Sequence, residues 1–119
     1  MLGLKVLDDQ MRSCNGGIHS WSLGVKYEHE GRLVLGRCGF HLTYRPDMFR
    51  GTRVFLAEAS EVKSGSILGT LNSFVCRSVT LLRELSAAEL RAYNNAISSA
   101  NKNYNETVQR ILQDLKEVR

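Results

Sequence analysis

The chain has 119 residues, 43% hydrophobic and 24% charged, with a formal net charge of +4. That length fits one domain, and this composition is ordinary for a globular protein, which excludes a disordered chain and a second independent core. No apolar run approaches the roughly 18 residues of a membrane span. Met1-Leu2-Gly3-Leu4-Lys5 lacks the charged start and apolar stretch of a secretory signal, so the expectation is a soluble, cytosolic protein.

In chain order, Leu4-Lys5-Val6-Leu7 reads as a short strand ended by the turn-forming pair Asp8-Asp9. Ser13-Cys14-Asn15-Gly16-Gly17 reads as a loop, because Asn-Gly-Gly supplies the positive φ angles of tight turns. Trp21-Ser22-Leu23 alternates briefly, Leu33 to Leu35 is a further strand, and Phe40 to Tyr44 is another, ended by Pro46. Arg53 to Ala59 is rich in strand formers, Lys63-Ser64-Gly65-Ser66 looks like a turn, and Ser73 to Leu82 alternates as a longer strand. Residues 1–85 are therefore expected to be mainly β, with roughly five to seven short strands.

From Ser86 the character changes. No glycine or proline follows, and Ser86-Ala87-Ala88-Glu89 is a capping box, in which serine and glutamate satisfy each other's backbone N–H groups. Apolar residues fall at Leu90, Tyr93, Ile97, Ala100, Tyr104, Val108, Ile111, Leu115 and Val118, an 11-residue period from Tyr93 onward. One helix over 86–119 would be about 50 Å long at 1.5 Å per residue. A body of the remaining residues has a radius of gyration of about 12 Å. The stripe would overhang it and meet a second copy, so self-association is expected. A break near Asn101-Lys102-Asn103, giving two antiparallel helices, is the alternative. The fold class expected is α+β, an N-terminal antiparallel β-sheet followed by a long C-terminal helix, continuous or broken into two, used in oligomerisation.

Cys14, Cys38 and Cys76 are an odd number at spacings unlike a disulfide framework, which suits a reducing compartment. Cys14, His19, Cys38 and His41 supply enough ligands for a zinc site, yet the spacing matches no finger pattern, and a lone cysteine is commonly a small hydrophobe. No paired-carboxylate spacing, Gly-rich phosphate loop or nucleophile–base motif appears, so no catalytic residue, metal or cofactor is assigned and the chain is not expected to be an enzyme.

The basic residues carry more information. Arginine occupies positions 12, 32, 37, 45, 50, 53, 77, 83, 91, 110 and 119, or 11 of the 16 basic residues. Its planar fork binds phosphate bidentately, where lysine acts as a point charge. Between Gly39 and Arg53, aromatics interleave with Arg45, Arg50 and Arg53, a combination suited to a nucleotide or a single strand. Asparagines at 94, 95, 101, 103 and 105 are poor helix formers, and their amides can donate to and accept from a base edge. The candidates by residue chemistry are Arg45, Arg50, Arg53, Arg77 and Arg110 for phosphate, Phe74 and Tyr93 for stacking, and Asn94 and Asn95 for base or ribose. The competing readings are a solvated basic rim over an aromatic core, a nucleic-acid binder, and a structural protein whose helix serves assembly.

The Lys5-Val6-Leu7 strand, the Ser13-Cys14-Asn15-Gly16-Gly17 loop with Trp21, Cys38-Gly39-Phe40-His41-Leu42-Thr43, and Val54-Phe55-Leu56-Ala57-Glu58 together resemble small phage-borne proteins whose helical tails carry similar Ala-Tyr-Asn repeats. Within that group the chain resembles the Thoeris anti-defence sponge family. The resemblance implies a sheet with C-terminal helices, assembled as a homo-oligomer (dimer or hexamer) with ligands held between subunits. It implies sequestration, without cleavage, of cyclic nucleotide immune signals: cyclic ADP-ribose isomers such as glycocyclic ADP-ribose, and cyclic di- or trinucleotides of related systems. The implied location is the cytoplasm of the infected bacterial host, with no membrane partner and nucleic acid a lesser candidate.

Overall fold

The computed structural model describes residues 1–13, 20–34, 38–48, 51–64, 73–99 and 104–117. Five strands, β1 (Leu2–Leu7), β2 (Lys26–Glu28), β3 (Phe40–Thr43), β4 (Arg53–Ser64) and β5 (Ser73–Glu84), precede two helices, α1 (Ala87–Ser99) and α2 (Tyr104–Glu117). The strand order is β2-β5-β3-β1-β4, and β4 also pairs with β5. The ring β5–β3–β1–β4 therefore closes into a small antiparallel barrel, and closure removes the open edges that a flat sheet exposes.

The β4–β5 hairpin is the backbone of this barrel. Its strands are rich in Val, Phe and Leu, residues that fit a pleated, half-buried surface. Pairing runs from Ser64↔Phe74 to Ala57↔Leu81 in one register and then shifts, with Leu56 opposite Arg83. Leu82 is the extra residue of this β-bulge, and at 38% exposure it is turned out of the core. The other edge of β5 is shared end to end, Ser73–Cys76 pairing with β3 and Ser78–Thr80 with β2. At Gly39, φ is +109° and an added Cβ would lie 2.6 Å from Val75 Cγ2, so only glycine fits the entry to β3.

The Asp8 turn forms as its sequence suggests: Asp8 Oδ1 accepts from the backbone N–H groups of Gln10 and Arg12, both at 2.9 Å. Other expectations move. β1 begins at Leu2, earlier than Leu4, and the strand near Trp21-Ser22-Leu23 gives way to Lys26–Glu28. Around Leu33 only an isolated Val34↔Cys38 bridge forms, and Leu35 lies outside the described residues.

The expected long helix is corrected to two helices, with the chain between them outside the described residues. The capping box is in place, Glu89 N donating to Ser86 Oγ at 3.1 Å and Ser86 N to Glu89 Oε1 at 3.0 Å. Arg83 donates to both Glu89 carboxylate oxygens at 2.9 and 2.7 Å and, through Nη2, to the Leu115 carbonyl at 2.9 Å. One guanidinium thus joins the first turn of α1 to the last turn of α2, so the helices run antiparallel. Burial explains why two helices win. Tyr93 and Ile97 from α1 and Val108 and Leu112 from α2 all enter one core with Leu2, Leu4, Leu42, Tyr44 and Phe74. A straight helix would forfeit about 1.5–3 kcal/mol for each large side chain left in water.

Candidate functional site

The sequence-derived candidates occupy separate parts of the protomer. Arg45 follows β3 and pairs with Asp47, donating from Nε at 3.1 Å and Nη2 at 2.9 Å. The bonds from Arg45 hold the Asp47 carboxyl below its ordinary value. Arg53, at the start of β4, forms a two-bond pair with Glu84 at 2.9 and 2.7 Å and lies over the Phe55 ring. Arg77 lies near the middle of β5, donating to Glu61 at 2.7 Å and to the carbonyls of His29 and Gly31 at 2.9 and 2.8 Å. Arg110 is exposed on α2, and Arg50 lies outside the described residues. Cross-strand register accounts for two of these pairs: Arg77 faces Glu61, and Arg53 lies two positions from Phe55, on the same face of β4, with Phe55 opposite Glu84.

Phe74 and Tyr93 are each 1% exposed, which makes both rings core in the single protomer. Tyr44 links them. Its ring packs on Phe74 with centroids 5.4 Å apart, its carbonyl accepts from Tyr93 Oη at 2.8 Å, and its hydroxyl accepts from Gln109 at 3.1 Å. A buried phenol with a satisfied hydroxyl is a packing element, so base stacking on either ring would require the helices to part. Asn95 is exposed on α1. Asn94 is half-buried, and its Oδ1 is a buried acceptor with no hydrogen-bond partner among the described residues. An orphaned acceptor of this kind costs free energy unless a donor reaches it.

A second grouping was not singled out from the sequence. Trp21, 5% exposed, meets Tyr27 and Phe40 edge-on with centroids 4.7 and 5.3 Å away. Lys5 Nζ sits 5.3 Å over the Trp21 ring and donates to the His41 carbonyl at 3.1 Å. Burial and the Lys5 charge lower the His41 pKa. Burial also pushes the Cys76 thiol up to about 11, so it is an inert thiol near neutral pH. The sequence signal was faint, because Lys5, Trp21, Tyr27 and Phe40 come from three strands and a loop. Among the described residues no group of three or more His, Cys, Asp or Glu is arranged to hold a metal, and no helix is long and apolar enough to cross a membrane. Cys14 and His19 lie outside the described residues.

No family model matches the chain, and neither a curated protein nor a solved structure matches it.

Proposed function

We propose that the protein is a non-catalytic sponge that binds cyclic nucleotide immune signals, cyclic ADP-ribose isomers foremost, and releases them unchanged. The sequence resemblance to the anti-defence sponges is the origin of this reading, and the arginine-rich basic charge agrees with a ligand bearing two phosphates. The structural observation that carries it furthest is Asn94, whose buried Oδ1 lacks a donor among the described residues. A base amine or a ribose hydroxyl is the kind of group that would supply one. Arg45, Arg53 and Arg77 stand at separate places, each with its own carboxylate. A pocket using several of them would draw on more than one copy of the chain, and each arginine would exchange its carboxylate for phosphate on binding.

The test is depletion. The protein is mixed with cyclic ADP-ribose isomers and, separately, cyclic oligoadenylates, filtered, and heated to release what was held. Loss of the ligand from solution and its recovery intact support the sponge. If both classes stay in solution while single-stranded nucleic acid binds with an affinity that falls steeply with salt, the nucleic-acid reading replaces it.

A further inference from the structure

The sequence-based reason for self-association was an apolar helical stripe too long for one protomer. In the structure that stripe folds back, and Tyr93, Ile97, Val108 and Leu112 are buried within the chain itself. A different surface is left open. β2 ends the strand order and, among the described residues, pairs only with β5, through Lys26↔Thr80, Tyr27↔Val79 and Glu28↔Ser78.

The direction of its backbone groups follows from the ladder. His29 N donates to the Arg77 carbonyl at 2.8 Å. In an antiparallel pair alternate residues face the partner strand, so Tyr27 and His29 point to β5 while the N–H and C=O groups of Lys26 and Glu28 point away. Among the described residues no strand takes up those outward groups. The Lys26 and Glu28 side chains are 63% and 64% exposed and pair with each other at 3.3 Å. Next to them stand Leu23 and Val25, exposed at 52% and 45%, among the few large apolar side chains left in water among the described residues.

We infer that β2 is a homodimerisation edge, pairing antiparallel with β2 of a second copy about a twofold axis through Tyr27. In that register Lys26 lies opposite Glu28 of the partner subunit and Glu28 opposite its Lys26. The outward N–H and C=O groups are carried by these same residues, so each facing pair exchanges both backbone hydrogen bonds. Positive therefore meets negative twice, and only because the charges are placed symmetrically about Tyr27. A lone charge on an edge strand deters pairing, whereas this arrangement is self-complementary, as a twofold contact requires. Val25 comes opposite the partner's His29, which gives the exposed apolar residue a neighbour. The two barrels become one continuous sheet, with the Trp21–Tyr27–Phe40 groups of both copies flanking the axis. The pairing stands on the strand edge and does not depend on the ligand reading.

The experiment is the native mass of the full chain across a concentration series, for the wild type and for Lys26→Glu and Glu28→Lys. Each single variant sets like charges face to face at both contacts and weakens the dimer by about tenfold. Mixing the two variants restores opposite charges at both contacts, and the mixed dimer forms where neither variant pairs alone. The double exchange Lys26→Glu/Glu28→Lys also recovers the wild-type mass. Melting curves verify that each variant is folded, and mixing leaves every chain's internal contacts as they were. A monomeric wild type, single variants that keep the wild-type mass, or a mixture that stays monomeric would each overturn the proposal.

Discussion

Two titrating side chains respond to pH in different windows. The Glu89 carboxyl is pulled from 4.5 to about 2 by its hydrogen bonds from Arg83 and the Ser86 backbone N–H. The unfolded chain takes up that proton at higher pH, so the stability is present above 4.5 and is lost as the pH falls through about 2. Glu89→Gln should destabilise by about 1 kcal/mol at neutral pH, since the pair is partly exposed, and flatten the acid limb of a melting-temperature profile. His41 has its pKa lowered, chiefly by burial. Its unfolded form is protonated first, so a separate loss of stability begins below pH 6.5, which His41→Leu should abolish. The thiols give a third readout. Cys38 is exposed and Cys76 fully buried with a raised pKa. Alkylation followed by peptide mapping should modify Cys38 quickly in the native protein and Cys76 only on unfolding.

At the scale of elements, the helical hairpin is held to the barrel by packing and by a few specific bonds. Tyr93→Phe keeps the ring but removes the donor to the buried Tyr44 carbonyl, and should cost about 1–2 kcal/mol, read from the urea midpoint. The elements that local chemistry dictates were legible in the sequence: the capped start of α1, the Asp8 turn, and the strands around Val6, Leu42, Phe55 and Val75. The division into two helices was harder to read, since the 11-residue spacing of apolar residues runs across it without interruption. Leu112 shows the cost. It falls outside that spacing yet is fully buried, because α2 packs on the core as a helix separate from α1. β2 was missed because its alternation, Val25-Lys26-Tyr27-Glu28, is too short to stand out in the sequence, and its ladder with β5 makes it a strand. The stacking candidates Phe74 and Tyr93 came from residue type alone. An aromatic side chain reads the same whether it lines a pocket or fills a core.

The whole molecule is a small closed barrel covered by a helical hairpin, measuring 36 × 30 × 24 Å. Closure and the folded-back helices account for its large apolar side chains with few exceptions, leaving the guanidinium groups, Asn94 and the β2 edge as features that packing does not explain. Asn94→Leu separates the two roles of that residue. Replacing an amide whose buried oxygen has no donor among the described residues by an apolar side chain should leave stability unchanged or raise it, while weakening capture of a cyclic nucleotide about tenfold. A loss of stability with capture intact would assign Asn94 to the fold alone. The measurement that bears most directly on the sponge reading is the fate of a cyclic ADP-ribose isomer incubated with the full chain and then released by heat. The account predicts depletion from the filtrate before heating and quantitative return of the same molecule afterwards. No depletion, or return of a linear or hydrolysed product, would contradict it.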